Sequence, residues 1–531
     1  VPIAARRASG IAAFVALAGI TLWLLDQFAR HEFSAHLRDQ AAHALALAAS
    51  GGTPFDWRFR TADDLVAGHP FGTEDFEFAD GALRLQLNSS SFEVGLPLAR
   101  PLDLQHFPRV HAAFDTKLAG ELRFVMRETL QSPETISEPI AFSPGSFDET
   151  YELGKLTWTL GNQAAAVALP DRAAMLRLRY SASAHGTIVL KQVALLRRTD
   201  TAAPDIGRTP PIVDPADAQP AGPVVYRLPF AAQSQQVDIA AIAASAHGAD
   251  PALILLPARG RVEQQIALRN AVYAVLPTAI LIPENAYTET FAAARELAAN
   301  GQQPRALSTH WHLVALFGAI LVIARVRPPL KARWRALVEI ALTLAAPLWL
   351  ILGGDGSGNT WHSPQRALIA LTIVYAFSLS WPRNWRWNGT ASAWRASASV
   401  VVLALMIGLL LHRGDSPSAA PSLHDIVRYL GWALLQQYLI CAVCTERWRL
   451  ATGNALLAAY FGALGFALLH TPNAALMLAT FVGGLCWCAI YLRHRALLPV
   501  AFSHAASAII LSALLPADIL LSAEVSVRFF Q

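Results

Sequence analysis

From about residue 305 onward, apolar residues gather in runs close to twenty residues long, separated by short polar or arginine-bearing segments. A helix rises about 1.5 Å per residue, so such runs match a hydrocarbon layer of ~30 Å. Runs fall at about 308 to 324, 336 to 352, 367 to 381, 396 to 411, 429 to 444, 454 to 470, 474 to 492 and 497 to 515. Near the N-terminus, Arg6 and Arg7 precede a further apolar stretch from Ile11 to Leu25. Asp26, Gln27 and Phe28 follow it where a cleavable signal would show small residues, so it is expected to be a retained anchor. The pattern predicts a multi-pass α-helical membrane bundle of about nine spans. Across 531 residues, 54% hydrophobic content against 15% charge leaves no room for an all-soluble reading.

The net charge of +4 does not argue for nucleic acid, because the arginines sit mainly in loops between spans, where topology explains them. Arg325 to Arg335, Arg383, Arg386, Arg447, Arg449, Arg493 and Arg495 fall on one side if the N-terminus is cytoplasmic. That alternation puts the large segment after the first span, and the C-terminal tail, outside the cytoplasm. High alanine and arginine usage points to a bacterial inner membrane.

The exposed segment divides by composition. Residues 50–198 carry short alternating runs, among them Phe76-Glu77-Phe78 and Leu83-Arg84-Leu85-Gln86-Leu87 around an Asp80-Gly81 turn signal, with others near Leu122 to Met126, Met175 to Tyr180 and Ile188 to Leu196. Regular short strands with turn signals predict an extracytoplasmic β-sandwich. Its last strand is similar to the closing strand of carbohydrate-binding jelly rolls, so a glycan or an exported protein is a candidate partner there. Residues 199–223, dense in proline, alanine and aspartate, read as a linker. Residues 224–304 alternate strand and helix signals and predict a small α/β unit inserted, like the sandwich, after the first span. The expected organisation is thus an anchor over 1–31, the sandwich, the linker, the α/β unit, transmembrane helices over 305–424 and a transmembrane core over 425–520.

Polar groups that persist among apolar runs are the candidates for chemistry, since at membrane depth each must find a partner. Gln436 and Gln437 stand in the sixth run, His470 closes the seventh, and His504 lies well inside the ninth. Asn473 follows His470 past Thr471-Pro472 and is a candidate either to bond that ring or to cap a turn. Glycines 453, 462, 465, 483 and 484 are expected to let helices approach closely. All four cysteines (Cys441, Cys444, Cys486, Cys488) fall in apolar runs, so the exposed domains carry no disulfide. Buried thiols of this kind are usually small hydrophobes. Two histidines plus neutral amides make a poor zinc site. Neither a metal nor another cofactor is expected.

The order Gln436-Gln437-x-x-x-Cys441, Phe466-x-x-x-His470 and His504-x-x-x-Ala508 resembles the CPBP family, which comprises the type II CAAX prenyl endopeptidases and bacteriocin-processing enzymes. That family shows Glu-Glu-x-x-x-Arg, then Phe-x-x-x-His, then a His followed at four residues by Asn or a similar group. The resemblance covers about residues 425 to 515. It implies an intramembrane endopeptidase acting on a membrane-proximal peptide, with His470, His504, Gln436 and Gln437 at the site. In the family, a carboxylate of the first motif takes a proton from water while the histidines bind water or hold the oxyanion. Here both family glutamates are glutamines, and a neutral amide cannot act as a general base. Three outcomes follow: a histidine-centred hydrolase, a carboxylate borrowed from elsewhere such as Glu339 or Glu446, or a pseudoprotease that binds without cutting. The bland alternatives are a snorkelling charge for Glu339 and a partner for Arg447 or Arg449 in the case of Glu446. A reading from a different class is a non-catalytic assembly or sorting factor, whose exposed domains bind a surface polymer or exported protein while the bundle anchors them.

Overall fold

The computed structural model describes the chain apart from residues 1–2, 74, 88–90, 99–100, 162–164, 183, 199–203, 215–223, 229–241, 243–250, 301–310, 327–330, 353–362, 380–386, 414–421, 517–518, 523, 527–528 and 530–531. It forms two compact units. One comprises Val1–Phe33, Gly260–Ala267 and Arg305–Gln531, and the other Ser34–Arg259 and Leu268–Pro304.

The helices are α1 (Ile3–Ala49), α2 (Val262–Val275), α3 (Tyr287–Ala299), α4 (Trp311–Val326), α5 (Ala332–Leu352), α6 (Ser363–Leu379), α7 (Ala391–Leu411), α8 (Leu423–Gln437), α9 (Glu446–Thr452), α10 (Ala455–Leu468), α11 (Ala474–His494) and α12 (Leu497–Leu514). Between α8 and α9 the backbone runs as a π-helix over Tyr438–Thr445, making one continuous 30-residue span. Among the described residues six helices are long and apolar enough to cross a membrane: α1, α5, α7, the α8–α9 span, α11 and α12. Six of the nine expected spans meet this criterion; the described parts of α4, α6 and α10, at 16, 17 and 14 residues, are apolar but shorter. Large apolar side chains remain exposed around the bundle, as at Val322 and Val326 of α4 and Met406 and Leu410 of α7. Water disfavours such a surface and hydrocarbon accepts it.

The bundle's core collects around the π segment, where Tyr438, Ile440, Cys441 and Val443 pack with Phe466, Trp487, Tyr491 and Val500. Glycine makes that packing possible at one point. A Cβ added to Gly462 would collide with Thr445 Oγ1 and come within 3.1 Å of Cys488 Sγ, so α10 can lie this close only without a side chain there. The anchor joins the same unit: Thr21 shares a hydrogen bond with the Tyr460 hydroxyl, and Phe14 meets the Tyr460 ring edge-on at 6.3 Å.

In the second unit, two antiparallel sheets enclose one apolar core. The six-stranded sheet runs in the order Gly145–Glu152, Arg109–Thr116, Gly186–Leu196, Ala82–Leu87, Phe76–Ala79, with Asp56–Trp57 also paired to Gly186–Leu196. The seven-stranded sheet runs Ala166–Val167, Trp158–Leu160, Thr135–Ser137, Gly120–Arg127, Met175–Ala182, Ser91–Leu96, with Ile140–Phe142 beside Gly120–Arg127. Alternation does the sorting: in Arg109–Thr116 every second residue is buried, and Val110, Ala112 and Phe114 enter the core. The Phe76–Ala79 and Ala82–Leu87 strands form the hairpin expected around Asp80-Gly81, both of which adopt positive φ.

A separate four-stranded parallel sheet runs Ile212–Val213, Val225–Arg227, Leu253–Leu256, Ile280–Pro283. Its first strand comes from the stretch read as linker. There Ile212–Val213 supplies two consecutive β-branched residues that extend the sheet, while residues 199–203 and 215–223 of that stretch lie outside the described residues. Ala41, Ala42 and Leu45 of α1 pack on this sheet with Phe291 and Ala294 of α3. The helix therefore continues well past the end of the apolar anchor, because Phe33, Leu37, Ala41 and Leu45 recur every four residues and bury one face.

Phe114 is fully buried and its ring lies 5.3 Å from Phe142, 4.5 Å from Phe147 and 5.4 Å from Tyr180. Phe114→Ala is expected to destabilise the sandwich by about 3–5 kcal/mol. Limited proteolysis of the full chain should then cut within residues 50–198 at denaturant concentrations that leave the parent intact.

Candidate active site

The site is built on α8, α10, α11 and α12. The chain leaves α8 at Gln437 directly into the π segment, and the Cys441 thiol, four residues on, donates to Gln437 Oε1 at 3.1 Å. Thr445 reaches back one residue further, the spacing of a π turn. Its hydroxyl lies 2.8 Å from the carbonyl of Ile440, five residues back, and 3.3 Å from Cys488 Sγ. Cys441 and Cys488 approach to 3.9 Å between sulfurs, both fully buried, and among the described residues no group of three or more metal-binding side chains forms.

With Oε1 taken by the thiol, the Gln437 Nε2 group faces Nδ1 of His504 at 3.2 Å. An amide nitrogen only donates, so His504 Nδ1 accepts and the ring's proton belongs on Nε2. Aromatic rings surround this imidazole, with Trp487 at 4.7 Å, Phe466 at 5.4 Å and Tyr429 at 6.2 Å between centroids. Trp487 is itself fixed, donating from Nε1 to Ser503 Oγ at 3.2 Å, and Ser503 donates to the carbonyl of Ser397 at 2.9 Å.

His470 carries the opposite tautomer. Its Nδ1 lies 2.8 Å from the carbonyl of Phe466, one turn back. A carbonyl only accepts, so Nδ1 holds the proton and Nε2 keeps its lone pair. The same Phe466 ring that meets His504 edge-on also meets His470, at 4.8 Å. One phenyl group therefore spaces two imidazoles, one bearing Nε2–H and the other a bare Nε2.

Gln436, His470 and His504 all line a cavity of about 900 Å³, whereas Gln437 is 1% exposed and stands behind His504 as its partner. The four side chains are thus brought together, three on the wall and one in support. The sequence had put His470 nearer the end of a span than Gln436 and His504, and the three nevertheless line one cavity.

Asn473 does not bond the His470 ring. Its Oδ1 caps α11 by accepting from Leu476 N at 3.1 Å, and its Nδ2 donates to the carbonyls of Ser522 and Glu524. Neither carboxylate weighed from the sequence lines the cavity. Glu339 is buried, accepting from Arg335 at 2.8 Å and Arg447 at 3.0 Å rather than snorkelling. Glu446 pairs with Arg495, not with Arg447 or Arg449. The cavity wall does carry three other acids, Asp26, Glu263 and Asp425. Glu263, at the start of α2, is 1% exposed. Sequence reasoning missed it because an acid in a helix's first turn is the ordinary favourable placement against the helix dipole.

Residues 426–510 match the Rce1-like family, described as type II CAAX prenyl endopeptidase Rce1-like. The Rce1-like segment runs from α8 into α12 and contains the glutamine pair and both histidines. The rest of the chain lies outside it. No curated protein matches the chain. Among solved structures, the chain is similar to the family 11 carbohydrate-binding module of the cellulosomal cellulase Lic26A-Cel5E of Clostridium thermocellum, at 8% identity over 24% of this chain and 87% of that one, with a TM-score of 0.21. It is also similar to the family 11 carbohydrate-binding module from Clostridium thermocellum in complex with a beta-1,3-1,4-mixed-linked tetrasaccharide, at 11% identity over 24% and 88%, with a TM-score of 0.20.

Within the Rce1-like segment, Gln437→Leu keeps the volume but leaves the His504 Nδ1 and the Cys441 thiol without partners. The expected loss is about 1–3 kcal/mol. Unfolding of the detergent-solubilised chain in a double-mutant cycle with His504→Leu should give a coupling of about 1 kcal/mol. Additive effects would refute the bond.

Proposed function

We propose that the chain is an intramembrane endopeptidase of the CPBP type in which the two histidines carry the chemistry and the glutamine pair serves as support. The observation that carries this reading is the pair of imidazoles on one cavity wall, with His470 Nδ1 against the carbonyl of Phe466 and His504 Nδ1 against the amide nitrogen of Gln437. His470 Nε2 accepts a hydrogen bond from water and, as that water attacks the scissile carbonyl carbon, takes its proton. His504 Nε2–H donates to the carbonyl oxygen as it becomes an oxyanion. Collapse of the tetrahedral intermediate breaks the C–N bond, and the amine leaves with a proton returned from the site. Peptide plus water gives a carboxylic acid and an amine.

The substrate class follows from the wall of the cavity. Side chains such as Leu344, Ile369, Leu403, Leu439 and Ile509 make it apolar along most of its length, so it suits an extended membrane-proximal peptide that enters from the lipid. The lipid bilayer is the second partner.

The same reading makes the chain a nine-span protein of a bacterial inner membrane, with α4, α6 and α10 as shortened crossings and the N-terminus cytoplasmic. Ion pairs support that orientation. Arg335 at the start of α5, Arg447 and Glu446 of α9 and Arg495 after α11 belong to ends that the positive-inside rule assigns to one side, and Glu339 and Glu446 bind them to one another. Arg447 also donates to the carbonyl of Leu379 at the end of α6, on that same side. Residues 50–198 then lie outside the cytoplasm, where a glycan or exported protein is their candidate ligand.

His470→Ala and His504→Ala are each expected to abolish cleavage of a co-expressed membrane-anchored peptide library while the chain still folds. Gln436→Glu should raise the cleavage rate, because it restores a carboxylate to the wall. If both histidine variants cleave like the parent, the peptidase reading fails. If only removal of residues 34–305 changes the phenotype, the assembly reading replaces it.

A further inference from the structure

Proton bookkeeping at this site gives the two histidines one donor for the leaving amine, the His470 ring once it has taken the water's proton. His470 accepts the water's proton, His504 must hold its own proton toward the oxyanion, and the glutamines are neutral amides that neither release nor take one. An amide nitrogen is a poor leaving group and departs only as it is protonated, so a second acid on the cavity wall shortens the path.

Three acids line that wall. Asp26 is paired with Arg30 at 2.7 Å, and Asp425 is exposed in the first turn of α8, bound to Ser422 and 3.7 Å from Arg428. Glu263 differs from both. It is almost completely buried, and its Oε1 accepts from Ala475 N at 3.1 Å. Ala475 lies five residues beyond His470, just past the turn that carries the histidine into α11, and the carbonyl of His470 accepts from Asn473 N within that turn at 3.1 Å. Glu263 and His470 both line the cavity, and residues 260–267 belong to the same compact unit as the bundle.

We propose that Glu263 is the general acid of the reaction, donating the proton that releases the amine while His470 acts as the base. The inference rests on the peptidase reading of the same cavity. With Oε1 held by the Ala475 amide, the acid proton sits on Oε2. As the C–N bond breaks, its electron pair goes to nitrogen, which takes the proton from Glu263. The proton that His470 took from water then passes to the Glu263 carboxylate, directly or through water, and the site is regenerated with no net change. Burial is the cause that readies the group: it raises the Glu263 carboxyl above the usual carboxylate range, Asp26 nearby adds to this, and the Ala475 amide and Arg261 act against it. Two titratable groups on one wall, driven toward opposite roles by their surroundings, are the usual arrangement for paired acid and base work.

The competing explanation is that Glu263 merely caps the first turn of α11. Glu263→Gln separates the two, because the amide oxygen still accepts from Ala475 N but the group has no acid proton. The full-length chain in detergent would be assayed on a peptide amide and on the p-nitrophenyl ester of the same acyl segment, whose phenolate leaves unaided. Glu263→Gln should lower kcat on the peptide about 100-fold or more, with KM little changed, and leave ester cleavage within about threefold of the parent. Equal activity of parent and variant on the peptide overturns the proposal while leaving the peptidase reading intact, and so does an equal loss on both substrates. If the parent cleaves neither substrate, the peptidase reading itself falls and this role falls with it. Should Glu263→Gln lose its thermal transition, Glu263→Ala assayed with added formic acid buffer replaces it: rescue of peptide cleavage supports the acid role, and no rescue in a folded variant refutes it.

Discussion

A buried amide must find partners for both its oxygen and its nitrogen, and at Gln437 that requirement fixes the rest of the site. The Cys441 thiol occupies the oxygen and the His504 ring occupies the nitrogen. With the amide nitrogen turned toward it, the ring accepts at Nδ1 and carries its proton on Nε2. Residue 441 stands one turn beyond residue 437, close enough for the thiol to reach back to the amide. A glutamate here would select the other tautomer, so the identity of this side chain decides which nitrogen of His504 carries the proton.

Close packing supplies the precision that polar contacts alone cannot. Phe466 touches both imidazoles, and Trp487, anchored through Ser503 to α7, closes the other side of His504. The bare glycine at 462 lets α10 press against the π segment. The helices that carry the site are therefore locked by contacts that tolerate little change in volume. Away from the cavity wall, Glu339 ties α5 to α9 through Arg447 and pairs with Arg335 of its own helix. A buried carboxylate held by two guanidiniums is structural, and it is unavailable to a cavity it does not line.

Much of this was legible from residues alone where a pattern has a single physical meaning. Apolar runs marked the spans, alternation with Asp80-Gly81 marked a hairpin, and polar groups stranded in apolar runs marked the cavity wall. What stayed hidden depends on distance along the chain. The length of α1 past residue 31 shows only as a four-residue recurrence of Phe33, Leu37, Ala41 and Leu45, in a stretch whose His, Arg and Asp content suggests a soluble segment. Helix α10 is shorter than its apolar run, because Asn454 caps its start and the turn through His470, Thr471 and Pro472 follows its end. Glu263 was illegible for a different reason: its environment is made by residues more than two hundred positions later, and nothing local distinguishes it from any acid that opens a helix.

The early end of α10 has a consequence for how His470 is presented. The helix stops at Leu468, and the turn that follows places the ring on the cavity wall with its Nδ1 tied back to the carbonyl of Phe466. A ring held by the last turn of its own helix takes its aim from that helix end and not from a partner on a neighbouring one.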